Sequence, residues 1–499
     1  MKLREWLNDL EYDMVQGSLE DEVDDVVYDS RKAGERTVFV CTKGTRIDSH
    51  DFIPDVVKAG VRVLVVERDV EIPEGVTALR VKSAREALAL LAAARFDYPA
   101  KKMVTIGVTG TKGKTTTTHM IKAILENCGK KVGMIGTTGI VIGDEVTPTV
   151  NTTPESYQVQ AAFSRMVEAG CEYMVMEVSS QAFKMHRVDG ITFDYGLFTN
   201  ISPDHIGPDE HENFEEYLSF KSMIFDRCRV GIMNADDEHC EEVVKRASCE
   251  ITYFRVESGR ENQPGNTADF RAENVHYVSE PDFVGLEFDV KGRYELEARV
   301  NIPGKFNVYN ALAAISVCSF LNLPKEKVCH GLEHLSVNGR MEIVYTSDKC
   351  TVIVDYAHNA VSMESLLETL REYHPRRLVC VFGCGGNRSK DRRYTMGDSA
   401  GRLADFSILT ADNSRYEKPE DIIADIRSSI VKTGGKFIEI PDRKEAIAYS
   451  MTHAEPGDMI AVIGKGHEDY QEINGVRHHF SDREVVLEAA AELEKEKKV

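Results

Sequence analysis

Short apolar runs, each closing on a polar or glycine-rich loop, recur along the chain. They fall over residues 62–66, 103–108, 173–178, 351–354, 378–382, 406–410 and 459–463. Runs of this length bounded by turn residues predict strands buried on both faces, the habit of parallel sheets. Longer stretches with helical spacing lie between them, over 84–95, 115–127 and 308–320. Strand alternating with helix predicts the α/β class.

The pattern divides the chain into three blocks: 1–98, 99–336 and 337–499. YPAKK closes the first. The middle block opens on a strand that runs directly into a glycine-rich turn and a helix. In the last block the strands end in DYAH, GCGGNR, ADNSR and GKGHE. Ligands of open parallel sheets gather at such carboxyl-end loops, so this block predicts a ligand-binding α/β domain. A length of 499 residues also suits about three domains.

Composition narrows the function classes. Hydrophobic residues make up 42% and charged residues 29%, ordinary for a globular protein. The net charge of -21 opposes broad contact with a phosphate backbone, so no nucleic-acid partner is expected. The 11 cysteines include no CxxC pair and read as reduced thiols. The N-terminus lacks an apolar signal core, and no apolar run nears the roughly 20 residues a membrane helix needs. The expectation is a cytoplasmic protein with no membrane span.

The strongest local signal is GTKGKT at 110–115. Its glycines let several backbone N–H groups face one anion. Lys114 would reach the β/γ-phosphates, and the Thr115 hydroxyl could meet Mg²⁺. A helix N-terminus adds a favourable dipole. Glu177 follows the apolar residues 173–176 within VMEVSS, where it is a Mg²⁺ ligand or a solvated strand-end acid. His205, in TNISPDHIG, could ligate a metal or bond a phosphate; a lone histidine is more often structural. Lys221 falls on an amphipathic helix, and pattern alone makes it a surface lysine.

These motifs occur in order with others: DSR at 29–31, NTTP at 151–154, MEVSSQAFKMHRV at 176–188, NVYNALAA at 307–314, GRME at 339–342, DYAHN at 355–359 and GKGHEDYQ at 464–471. Together, over most of the chain, they resemble the Mur ligases, and among them the branch that adds the third residue of the peptidoglycan stem peptide. The resemblance implies a three-domain architecture: a UDP-binding domain, a central P-loop sheet and a C-terminal Rossmann-like domain. It implies an ATP-dependent amide ligase, acting as a monomer, that activates UDP-MurNAc-L-Ala-D-Glu as an acyl phosphate and joins it to a diamino acid.

The implied sites follow the motifs. ATP would be held by Gly110, Thr111, Lys112, Gly113, Lys114, Thr115 and Thr116, with Asn310, Arg340 and Asp355. Mg²⁺ would meet Thr115, Glu177, His205 and Lys221, the last carrying a CO₂-derived carbamate. Lys114, Lys221, His205 and Glu177 would serve catalysis. The nucleotide peptide would contact Ser30, Asn151, Thr152, Thr153, Ser179 and Arg187. Arg388, Asp412, Asn413, Ser414, Arg415, Gly464 and Glu468 would hold the third amino acid. An arginine for a carboxylate and a glutamate for an ammonium suit the distal end of meso-diaminopimelate; L-lysine lacks that carboxylate. The branch usually has DNPR and GGDRD where this chain has DNSR and GGNRS, which predicts a selective loop of different shape. Folylpolyglutamate synthase, a superfamily relative, gives no reason for DSR, NTTP and SSQAFKMHR together. A P-loop switch protein would call for an NKxD motif, which is absent.

Overall fold

The computed structural model describes residues 1–44, 47–204, 206–207, 210–256, 268–280 and 283–496. The chain forms two compact units, chiefly Met1–Arg255 with Ala313–Leu323, and Phe270–Leu312 with Pro324–Val499.

The first unit holds two sheets. In the smaller, Asp25–Val27, Thr37–Val40, Val63–Val66 and Thr77–Arg80 run parallel, and Asp13–Gln16 adds an antiparallel edge. Helix Ala84–Arg95 packs against this layer. Its alanines and leucines recur at helical spacing, so Ala84, Ala87, Leu88, Leu91 and Ala92 fall on one buried stripe. Ser83 starts the helix by accepting the Glu86 N–H at 3.2 Å.

In the larger sheet, six parallel strands lie in the order Glu250–Val256, Cys228–Asn234, Phe193–Phe198, Val104–Thr109, Tyr173–Glu177 and Val132–Gly136. Two short antiparallel strands follow, Gly139–Ile142 and Glu145–Thr147. The central strand Val104–Thr109 is buried along nearly its whole length, as its apolar run predicts. Its carboxyl end delivers the glycine-rich turn, and Lys114–Asn127 is the helix beyond it.

In the second unit, Phe270–Glu280, Phe283–Gly292 and Leu296–Val300 form an antiparallel meander. A six-stranded sheet follows. Glu342–Thr346 pairs antiparallel with Cys350–Asp355; Asp458–Ile463, Arg377–Phe382, Phe406–Leu409 and Phe437–Glu439 continue it in parallel. The apolar runs predicted over 351–354, 378–382, 406–410 and 459–463 coincide with strands of this sheet, with Thr410 one residue past the end of its strand.

Beneath the ends of two of these strands lies an ion pair that the sequence pattern did not reveal. Arg443 and Asp482 are fully buried, and Nε and Nη2 meet the two carboxylate oxygens at 2.7 Å each. The same guanidinium donates to Ile463 O at 2.9 Å and Ala411 O at 3.3 Å. Those carbonyls directly precede Gly464 and Asp412, so the pair anchors the roots of two candidate ligand loops.

Arg443→Met would strand the buried Asp482 carboxylate. The expected loss is about 3–5 kcal/mol of stability. Adding Asp482→Leu should restore much of it, because an apolar pair of similar volume carries no desolvation penalty. Urea unfolding of both variants checks this; a single-variant loss under about 1 kcal/mol would show that the pair anchors nothing.

Candidate active site

The turn at 110–113 is closed by the neighbouring strand. Thr199 and Asn200 follow strand Phe193–Phe198, parallel to Val104–Thr109. Asn200 Oδ1 accepts the Lys112 N–H at 2.9 Å, and its Nδ2 donates to Lys112 O at 3.0 Å. Thr199 Oγ1 donates to Lys112 O at 2.7 Å, and Thr111 N–H donates to Asn200 O at 2.8 Å. Gly110 sits at φ +142, and a Cβ there would lie 2.0 Å from Thr199 Oγ1. Only glycine permits this approach of turn and clamp. The first half of TNISPDH thus shapes the loop, a role the motif alone did not suggest.

Two lysines meet one carbonyl oxygen. Lys114 Nζ donates to Gly110 O at 2.8 Å and to Thr111 O at 3.1 Å. Lys221 Nζ donates to the same Gly110 O at 2.6 Å. Lys221 lies in the last turn of helix Phe214–Ser222 and is 1% exposed, which corrects its reading as a surface lysine. Burial drives its pKa well below the usual lysine range; the nearby Lys114 charge adds to this and Asp204 opposes it. One turn earlier on the helix, Tyr217 OH lies 3.0 Å from Thr111 Oγ1, and its ring lies 4.8 Å from Lys221 Nζ.

Glu177 is 1% exposed, which removes the reading of a solvated strand-end acid. The Thr115 hydroxyl lies 3.0 Å from both carboxylate oxygens. Thr137 N–H donates to Oε1 at 2.8 Å, and the Thr137 hydroxyl to Oε2 at 3.3 Å. A Cβ on Gly136 would lie 2.3 Å from Oε1, so that glycine makes room for the acid. Every one of these donors is neutral, and among the described residues Glu177 has no ion-pair partner. A buried carboxylate is costly unless a positive charge joins it.

That charge imbalance fits a bound cation. Mg²⁺ keeps several waters and takes one or two protein carboxylates together with phosphate oxygens. Thr115 and Glu177 offer that kind of set. Among the described residues no three His, Cys, Asp or Glu side chains converge. His205 lies outside the described residues.

The second group in this unit surrounds Thr153. Its hydroxyl donates to Glu177 O at 2.9 Å and accepts the Ser179 N–H at 3.1 Å. Ser179 then accepts the Ala182 N–H at 3.2 Å, capping helix Ser180–Lys184. Arg187 donates to Thr153 O at 3.1 Å and pairs with Glu155 at 2.7 Å. Thr152 Oγ1 lies 3.2 Å from Thr137 Oγ1, so Thr137 links the NTTP segment to Glu177. Asn151 is exposed and Ser30 half-buried. In DSR, the Arg31 guanidinium beside Asp29 holds that carboxyl at about 2.

In the second unit, Asp355 accepts the Met341 and Ala357 N–H groups, both at 2.7 Å. Burial raises its pKa despite these donors and the nearby Arg340. Arg340 stands 5.0 Å over the Tyr356 ring. Asn310 Nδ2 donates to Asn307 Oδ1 at 2.8 Å.

The strand-end loops of this unit are tied together. Gly386 N–H donates to Asn413 O at 2.9 Å, and Arg415 Nη1 to Gly386 O at 2.7 Å. Arg415 N–H donates to Glu472 O at 2.9 Å, while Nε lies 3.4 Å from Glu472 Oε2. Asn387 Oδ1 accepts the Tyr416 N–H at 3.1 Å, and its own N–H donates to Glu417. Asn413 Nδ2 donates to Glu468 Oε2 at 2.9 Å. Asp412 Oδ2 would lie 2.7 Å from a Cβ on Gly464, so these two positions adjoin. Arg388 is exposed.

Comparison with known proteins covers the chain almost end to end. Residues 22–96 match the Mur ligase family catalytic domain, 108–318 the Mur ligase middle domain and 339–466 the Mur ligase glutamate ligase domain. A UDP-N-acetylmuramoyl-L-alanyl-D-glutamate–2,6-diaminopimelate ligase of Caldanaerobacter subterraneus is 40% identical over 99% of this chain and 100% of its own length. An enzyme of the same name, numbered 1, from Clostridium acetobutylicum is 41% identical with the same coverage. A solved structure of a ligase of that name superposes with a TM-score of 0.76 at 27% identity, covering 99% of each chain. Folylpolyglutamate synthase of Mycobacterium tuberculosis, at 18% identity and a TM-score of 0.57, shares the fold over 76% of this chain and 92% of its own.

Lys114→Ala is expected to lower nucleoside triphosphate turnover by at least about a hundredfold in a folded protein, since a preorganised charge on a transferring phosphoryl group supplies several kcal/mol. Circular dichroism confirms folding and coupled ADP release gives the rate. A variant keeping more than about a tenth of the turnover has lost only about 1.4 kcal/mol, too little for that role.

Proposed function

The chain belongs to the Mur ligase family, and on that premise we propose that it is the ATP-dependent ligase joining meso-diaminopimelate to UDP-MurNAc-L-Ala-D-Glu. The observation that carries this reading is the full-length likeness to ligases of that name. The strand-end loops support it, because they gather Arg388, Arg415 and Glu468, the groups a distal amino acid would need. The expected division into 1–98, 99–336 and 337–499, a monomeric state and a cytoplasmic location belong to the same proposal.

The chemistry runs in two stages. The D-glutamyl carboxylate attacks the γ-phosphorus of ATP, a phosphoryl oxygen bond to ADP breaks, and an acyl phosphate forms. Lys114 neutralises charge on the transferring group, and the clamped 110–116 loop offers its N–H groups to the phosphates. The deprotonated amine of the third amino acid then attacks the acyl carbon. The tetrahedral intermediate collapses with loss of phosphate, leaving the amide. Asn310, Arg340 and Asp355 complete the nucleotide site in this reading, and Ser30, Asn151, Thr152, Thr153, Ser179 and Arg187 hold the nucleotide peptide. When bound, Mg²⁺ supplies positive charge against the phosphate oxygens; Thr115 and Glu177 would hold it, with His205 as a further ligand.

Lys221 is carbamylated in this reading. Its neutral amine attacks CO₂; a nitrogen–carbon bond forms and one proton leaves. Two features support the step. Burial beside Lys114 favours the uncharged amine that such an attack requires. The carbamate nitrogen also keeps one N–H, so it could still donate to Gly110 O. The product adds negative charge and two oxygens where an ammonium would repel a cation.

The carbamate is expected to appear as a labelled carbonyl resonance when the enzyme is equilibrated with ¹³C-bicarbonate, and to be missing from Lys221→Ala, which should be nearly inactive. An unmodified lysine in fully active enzyme would exclude it.

For the third amino acid, kcat/KM for meso-diaminopimelate is expected to exceed that for L-lysine by roughly a hundredfold, since lysine leaves the arginine without its carboxylate. Arg415→Ala should remove most of the preference while sparing ATP binding. Equal values in the wild-type enzyme would assign the chain to a different substrate branch.

A further inference from the structure

The sequence reading made Asn413 and Glu468 direct contacts to the third amino acid and gave Lys465 no role. The structure assigns Lys465 one: we propose that it is the positioning residue that sets Glu468 for the amino acid's distal ammonium. The inference rests on the substrate reading above.

Lys465 is fully buried, and its ammonium ties its own 464–470 segment to the loop at Asn413. Nζ donates to Asn413 Oδ1 at 3.3 Å, to Glu468 Oε2 at 3.2 Å and to Tyr470 O. An ammonium has three N–H bonds, so the set is complete. Asn413 closes the ring: Nδ2 donates to Glu468 Oε2 at 2.9 Å, and Oδ1 also accepts the Glu472 N–H at 2.9 Å. Both side-chain donors therefore fall on one oxygen of Glu468. Its other oxygen, Oε1, accepts no hydrogen bond among the described residues. The side chain retains 18% exposure. The carboxylate is fixed by one oxygen and leaves the other for a ligand. Lys465 itself has no exposed surface, so it acts through Glu468 and Asn413 rather than by touching the substrate.

The placement separates two tasks. Glu468 faces an ammonium, which meso-diaminopimelate and L-lysine both carry at the far end. Arg415 faces a carboxylate, which only the first carries. Releasing Glu468 should therefore weaken both amino acids together and leave the preference between them unchanged. Releasing Arg415 should change the preference.

The test measures kcat and KM for each substrate in wild type, Lys465→Met, Glu468→Gln and the double variant, all as full-length enzyme. Lys465→Met is expected to raise KM for meso-diaminopimelate and for L-lysine by about tenfold each, the effect of losing a charge-assisted bond. KM for ATP and for the nucleotide peptide should stay within about twofold, as uniform binding elsewhere is untouched. In the double variant the losses should fall well short of additive, because both changes disable one carboxylate. Should Lys465→Met fail to fold, Lys465→Gln keeps a donor for Tyr470 O, drops the charge, and should give the same pattern. An unchanged amino-acid KM, an equal loss for all substrates, or additive effects in the double variant would overturn the positioning role. A wild-type enzyme that ignores meso-diaminopimelate overturns the substrate reading instead. The series is then run with the diamino acid it does join, where the same outcomes decide the role of Lys465.

Discussion

A buried carboxylate with only neutral donors around it is the constraint around which the nucleotide loop is organised. Lys114 and Lys221 both donate to Gly110 O. Glu177 is sealed beneath the same loop with only neutral donors around it. Burying that carboxylate is unfavourable by itself, since a desolvated charge is stabilised little by neutral dipoles alone. A protein retains such a group where a ligand completes it, so the uncompensated Glu177 identifies the site more firmly than the glycine pattern does. The packing follows from the same constraint. Gly136 lacks a side chain because Glu177 occupies that space, and Gly110 lacks one because Thr199 does.

The sheet order makes this arrangement possible. Thr109, Glu177 and Phe198 end three adjacent parallel strands, so their following loops emerge side by side. Each loop then contributes one part: the phosphate turn, the acid with its VSS extension, and the Thr199–Asn200 clamp. Topology thus brings three separate motifs to one edge of the sheet, the general behaviour of ligand sites at the carboxyl ends of parallel strands.

What the sequence revealed divides along the range of the interactions. Apolar runs marked the strands because burial on both faces leaves a local trace, and the predicted runs over 103–108 and 173–178 lie within a residue of strands Val104–Thr109 and Tyr173–Glu177. Lys114 and Thr115 were legible because a phosphate loop is contiguous. Lys221 was not. Its helix carries Glu215, Glu216 and Ser219, which read as a solvated face, while the acceptor that buries it lies 111 residues away. Thr137 and Asn200 escaped for the same reason: neutral polar residues in loops look alike until a distant partner is known. The resemblance supplied Lys221 a role, but the burial that makes the role chemically reasonable came from the fold.

The amino-acid loops show how a departure from a family pattern can be absorbed. Serine at 414 gives up the fixed φ that proline would impose, and a freer loop is the natural expectation. Here the restraint comes from outside the residue. Gly386 N–H, Arg415 N–H and Tyr416 N–H are each bonded to a neighbouring loop. Ser414 itself is buried, with its carbonyl in the space a Cβ on Gly386 would fill. Asn387, the other departure, supplies the acceptor for Tyr416. An aspartate could accept that bond as well, but it would carry its charge beside Glu417, which already accepts the N–H of residue 387. The neutral amide avoids that repulsion. The two departures therefore act on one loop pair, and each is intelligible only with the other in view. The stiffness that a ring would provide locally is distributed over cross-loop hydrogen bonds, and Lys465 and Arg443 hold the serine's own loop at Asn413 and Ala411.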